Sequence, residues 1–160
     1  LALTIEPSEP EVMQEKPRSK DEPIMNTEMK VLIFLIGIFT DLVLLGLYIY
    51  LLKTHRDIQH IRTLIFTALA IDSLFYVFSV KSFRRSIFRI NLFSNKWLIF
   101  AVLGGFITQL CAVYLPLLQK LFKTVPLTLN EWLIIIALGI LNVIAIEITK
   151  EWFIKNKKIT

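Results

Sequence analysis

Four long apolar runs separated by short charged connections dominate the chain beyond residue 30. Residues 31–52, VLIFLIGIFTDLVLLGLYIYLL, hold one charge, Asp41. Residues 63–80, TLIFTALAIDSLFYVFSV, hold one, Asp72. Residues 97–119, WLIFAVLGGFITQLCAVYLPLLQ, hold none, and residues 132–149, WLIIIALGILNVIAIEIT, hold only Glu147. A helix needs ~20 apolar residues to cross a hydrocarbon core of about 30 Å. None of the runs is strongly amphipathic, which fits helices inside lipid rather than on its surface. Two runs, at 18 residues each, are short enough to be core helices of a soluble protein. Four such helices in 160 residues, however, leave no polar faces to dissolve them. The pattern predicts an all-α membrane protein, a four-transmembrane-helix bundle with helices near 30–52, 61–81, 96–119 and 129–153.

The first 30 residues are of another kind. LALTIEPSEPEVMQEKPRSKDEPIMNTEMK contains Pro7, Pro10, Pro17 and Pro23, which interrupt any long helix. It also holds seven of the thirteen acidic residues. It lacks the basic start and apolar stretch of a signal peptide. Residues 1–29 are expected to be an irregular polar segment along the membrane face, with at most a helical turn near residues 8–14, and residues 30–160 a four-span domain. The opening LALT, without an initiator Met, reads as the end of an earlier apolar span and the chain as a fragment.

Composition sharpens this. Hydrophobic residues make up 55% and charged residues 19%, with twelve Phe. That is too apolar for disorder and too poor in charge for an ordinary soluble domain. A single Cys excludes a disulfide framework and any multi-cysteine metal site. The net charge of +5 is unevenly spread: residues 31–160 hold fourteen Lys/Arg against six Asp/Glu. Basic residues beside apolar spans point to membrane-flanking loops rather than nucleic-acid binding. The loop at 81–96, KSFRRSIFRINLFSNK, has five Lys/Arg and no acid, and the tail after residue 149 has four. The positive-inside rule puts both on the cytoplasmic side, and four spans then place both termini there.

Local signals mark the boundaries. Thr128-Leu-Asn-Glu131 is a capping box before the last run. Pro116 is expected to kink or end the third helix. Gly104, Thr108 and Ala112, and likewise Ala101, Gly105 and Gln109, form small-residue stripes at i, i+4, i+8, expected to face protein.

Candidate chemistry is sparse. There is no glycine-rich phosphate loop and no nucleophile–base arrangement, so the chain by itself is not expected to be an enzyme. His55 and His60 read as solvated histidines of a short outer loop, and Cys111 as a packing residue. Glu147, with Lys150 at i+3, reads as a snorkelling, locally paired carboxylate. Asp41 is central in its run, where it pairs with a neighbouring helix or with Thr40 and water. A carboxylate at mid-membrane costs roughly 2.5–3.5 kcal/mol, so such residues face protein, water or an ion. Asp72 is the strongest candidate. Tyr76 and Ser79 follow it at i+4 and i+7, a polar stripe suited either to a protein interior or to an ion route.

At this point several stretches are similar to the C-terminal membrane region of P-type cation-transporting ATPases of the calcium-pump-like group. LALTIEP resembles the end of the sixth span, and EPSEPEVMQEKPRSKDEPI the cytoplasmic loop after it. LFSNKWL, YLPLLQKLF and TVPLTLNEWL resemble the eighth-to-ninth loop, the end of the ninth span and the start of the tenth. The resemblance covers nearly the whole chain and implies spans seven to ten of such a pump, a bundle packed beside the ion-carrying helices. AIDSLFYVFS resembles the part of the eighth span whose acidic residue ligates an ion. The resemblance therefore implies that Asp72 is a ligand of the transported metal ion, with Asp where animal calcium pumps carry Glu. The phosphorylated Asp-Lys-Thr-Gly motif and the nucleotide and actuator domains are not in this sequence. ATP and Mg²⁺ are accordingly implied for a complete pump and no cofactor for this chain. The implied partners are the lipid bilayer, the remaining pump domains and spans, and the transported cation; nucleic acid is not among them. Two alternatives remain from the residues. One is a free-standing four-span regulator or assembly partner. The other is a small carrier using Asp41 and Asp72, for which inverted repeats would be expected and none is visible.

Overall fold

A computed structural model describes residues 27–54, 57–80 and 94–157. Among the described residues five helices follow in order: α1 Thr27–Lys53, α2 Ile58–Val80, α3 Lys96–Tyr114, α4 Pro116–Phe122 and α5 Leu129–Lys157. No strand occurs among the described residues. Three of the long helices are long and apolar enough to cross a membrane, over Ile58–Ser79, Lys96–Tyr114 and Leu129–Trp152. α1 falls on the first apolar run and is not one of the three found among the described residues.

The boundaries differ from expectation in places with physical causes. α1 begins at Thr27, inside the segment expected to be irregular. The expected turn near residues 8–14, and most of the loop at 81–96, lie outside the described residues. The third helix ends at Tyr114 rather than 119. Pro116 disfavours helical backbone at the residue before it, and Leu115 is extended, with φ −80° and ψ 124°. Pro116 then serves as the first residue of α4, where its missing N–H costs nothing. Asn95 caps α3 by accepting from the Leu98 N–H at 3.0 Å. α4 stops at Lys123 in the left-handed region, φ 54°, after which the Thr124 N–H reaches back to the Gln119 carbonyl at 3.2 Å.

α2 and α5 make the most extensive pairing; α1 packs on both, α3 packs on α2, and α4 on α3. The core gathers Leu44 and Leu51 of α1, Ile61, Leu64, Ala68 and Ile71 of α2, Val113 of α3, and Trp132 and Ile135 of α5. Two glycines set how closely helices approach. A Cβ on Gly139 would strike the Phe75 ring, and one on Gly105 would lie 2.8 Å from Leu74. The stripe through Gly105 and Gln109 therefore meets α2, where the Gln109 amide donates to Thr67 Oγ1 at 3.0 Å. The other stripe does not behave as expected: Gly104 and Thr108 are exposed, and only Ala112 is buried. Outside the core the helices show large apolar side chains, including Phe34, Leu42, Trp97, Phe100 and Ile148. Such a surface suits a lipid solvent, in which backbone polar groups must be paired within helices.

Candidate functional site

Asp72 lies midway along α2, half-buried toward α5 and α1. Its Oδ1 accepts a hydrogen bond from Asn142 Nδ2 of α5 at 2.7 Å. This uses one face of the Asn142 amide. Its carbonyl oxygen, Oδ1, is buried and has no partner among the described residues. The Thr40 hydroxyl of α1 is likewise buried and unpartnered. Thr40, Asp72 and Asn142 all line one cavity of about 20 Å³ whose other walls are apolar. That exceeds the roughly 10–15 Å³ a single water requires. A carboxylate, an amide carbonyl and a hydroxyl are oxygen donors of the kind that suit a water molecule or a hard cation. No group of three His, Cys, Asp or Glu side chains able to hold a metal ion occurs among the described residues.

The site differs in membership from the sequence-level stripe. Tyr76 is half-buried and does not line the cavity. Ser79 is buried two turns away and belongs to another cluster. Asn142 and Thr40 take their places, and both were missed. Their signal was present: an amide inside the last apolar run, and a hydroxyl beside Asp41.

The far cluster joins α5 to the C-terminal end of α2. Lys150 Nζ donates to the Ser79 carbonyl and, at 2.9 Å, to Glu147 Oε1. The expected i,i+3 pair is there, but it does not snorkel: Lys150 is 2% exposed and Glu147 5%. The reason is the partner. Ser79 is in the last turn of α2, where carbonyls lack helical donors, and a buried ammonium satisfies one of them.

At the opposite end of the bundle His60 is not a solvated loop residue. It lies in the first turn of α2, and its Nε2 donates to Glu131 Oε1 across 2.6 Å. The other oxygen of Glu131 accepts the Thr128 N–H at 2.8 Å and the Thr128 hydroxyl at 2.9 Å. The capping-box glutamate thus holds its own helix start and ties it to α2. Tyr114 donates to the Leu127 carbonyl and accepts from the Trp132 indole, both at 2.8 Å. His55 lies outside the described residues. Cys111 is a half-buried free thiol. Asp41 is exposed on α1 and has no hydrogen-bond or ion-pair partner among the described residues.

Three helices fit to cross a bilayer, with a carboxylate–amide pair bridging two of them at mid-length, define an integral membrane helical bundle. The family described as "Cation transporting ATPase, C-terminus" matches residues 1–152, and the chain belongs to that family. It is 32% identical over 165 residues to "Calcium-transporting ATPase 1" of Bacillus cereus, covering 94% of this chain and 19% of that protein. It is 31% identical over 153 residues to "Calcium-transporting ATPase type 2C member 1" of Pongo abelii, covering 94% of this chain and 16% of the relative. Against "Probable cation-transporting ATPase F" of Mycobacterium tuberculosis the identity is 28% over 139 residues, 87% of this chain and 15% of the relative. The chain therefore spans less than a fifth of the length of these relatives.

Proposed function

We infer that this chain acts as the C-terminal membrane part of an ATP-driven cation pump, supporting the ion-carrying helices and lending them one oxygen ligand, Asp72. The family match along residues 1–152 supports the first part. The placement of Asp72 supports the second: it is held by Asn142 beside a small cavity that two further oxygens line. Asn142 donates to one carboxylate oxygen of Asp72, which leaves the other with capacity to accept. Calcium is the first ion to test, because it is named for several relatives. In this reading α1 is a fourth span and both ends are cytoplasmic, as the basic loops at 81–96 and after 149 require. ATP and Mg²⁺ act on domains of the complete pump, and this chain's own contribution is mechanical support and one carboxylate.

The deciding experiment is Asp72→Asn in the complete pump, which keeps the size and removes the charge. The expected result is a weaker apparent calcium affinity in the ion dependence of ATP hydrolysis, with expression and thermal stability near those of the parent. An unchanged ion dependence would remove Asp72 from the ligand set.

A further inference from the structure

The start of α2 and the end of α4 meet at one end of the bundle, around a cavity of about 220 Å³. Arg62 and Lys123 line it, together with Thr63, Thr124, Phe66 and Phe122. Neither cation has a carboxylate partner among the described residues. The framework beneath them is fixed. Gln59 Nε2 donates to the Lys123 carbonyl at 3.2 Å, holding the turn after α4 against α2. Thr63 Oγ1 donates to the Gln59 carbonyl at 2.9 Å and accepts the Val125 N–H at 3.1 Å. Thr124 Oγ1 donates to the Ala112 carbonyl at 2.5 Å. Both hydroxyls are committed to the scaffold, so the recognition groups of the cavity are the guanidinium and the ammonium. Phe66, one turn deeper than Arg62, stacks on Phe122 with ring centroids 6.2 Å apart and planes 22° apart. Both rings are partly exposed, at 41% and 51%.

We propose that this cavity binds the phosphate headgroup of an anionic phospholipid. Along α2, Arg62 lies nearer the helix start and the Phe66 ring, stacked on Phe122, one turn further in. That is the order in which a lipid presents its phosphate and its glycerol and acyl part. Arg offers a planar fork of N–H donors to phosphate oxygens and Lys a compact second charge. Free inorganic phosphate shares the headgroup chemistry but has no use for the Phe66–Phe122 floor. The proposal is independent of the role given to Asp72.

The test uses the full-length protein in nanodiscs made of equal parts phosphatidylglycerol and phosphatidylcholine, with retained lipids identified by native mass spectrometry. Phosphatidylglycerol should be retained in preference by roughly tenfold, since each basic residue near a surface favours anionic lipid. R62Q/K123Q should reduce that preference to near parity, and F66A/F122A should weaken it while leaving Arg62 and Lys123 in place. Equal retention of the two lipids by the parent protein overturns the proposal, as would happen if another part of the pump covers the cavity. A preference that survives R62Q/K123Q overturns it as well. Displacement of phosphatidylglycerol by millimolar inorganic phosphate, with no effect of F66A/F122A, assigns the cavity to free phosphate instead. Should R62Q/K123Q lose helical content by circular dichroism, the single K123Q, whose side chain is exposed, replaces it and should still lower the preference; if it does not, the proposal fails.

Discussion

Lys150 shows how a residue legible in the sequence acquires its role only from a partner. Its i,i+3 spacing from Glu147 was visible, and the ion pair forms at 2.9 Å. The carbonyl of Ser79 was not, because it is a backbone atom 71 residues away. Lys150→Met removes the Lys150 ammonium from buried Glu147 and from the Ser79 carbonyl. Removing one partner of a buried pair costs about 3–5 kcal/mol, which should appear as a large drop in unfolding temperature in detergent. The double change E147L/K150M should be much milder, since it strands no charge. The same logic applies to Asn142. Asn142→Leu deprives Asp72 of a donor and should weaken the α2–α5 association by about 0.6–1.7 kcal/mol, the range for interhelical hydrogen bonds in membranes. A denaturation midpoint in detergent would register either change.

Between elements, contact distance is governed by small residues. α5 approaches α2 closely at Gly139, where the Phe75 ring occupies the space that a Cβ would need. Gly139→Leu should force the two helices apart, costing about 1–3 kcal/mol as overpacking does, whereas the same change at Gly104, which has open space around it, should be nearly neutral. Thermal unfolding of the two variants side by side checks this contrast. The small-residue spacing of α3 was legible in the sequence, but not which of its two stripes meets α2. Both stripes contain small residues at the same i, i+4, i+8 spacing, and only the rotation of the packed helix separates them. Pro116 was legible as a breaker because its effect is local. Its consequence, a separate α4 whose end turns back onto α2, depends on the Gln59–Lys123 bond and was not.

At the scale of the whole molecule, Asp41 is a charge turned outward from within an apolar run. Asp41 is exposed mid-way along an apolar helix, a costly position in lipid unless another surface covers it. In a pump, the remaining spans would supply that surface. Asp41→Leu should then leave the stability of the 160-residue chain unchanged or higher, while lowering assembly or turnover of the complete pump. Equal effects in both would show that Asp41 serves this bundle alone. The chain without further domains should neither bind nor hydrolyse ATP, which equilibrium binding with labelled nucleotide and a phosphate-release assay would check.

The sequence by itself determined the elements and the medium. Long uncharged runs, proline breaks and basic flanks act through local backbone sterics and through transfer from water to lipid, and both depend on residues near one another in the chain. Family membership followed from ordered stretches for the same reason. Only the tertiary structure decided which polar atoms share a cavity or a bond: Asp72 with Asn142 and Thr40, His60 with Glu131, Lys150 with the end of α2. These pairings join helices distant in sequence, and each hangs on the rotation and depth of two packed helices. No spacing along a single helix encodes that relation, because it is set by the close packing of apolar side chains around Gly105 and Gly139.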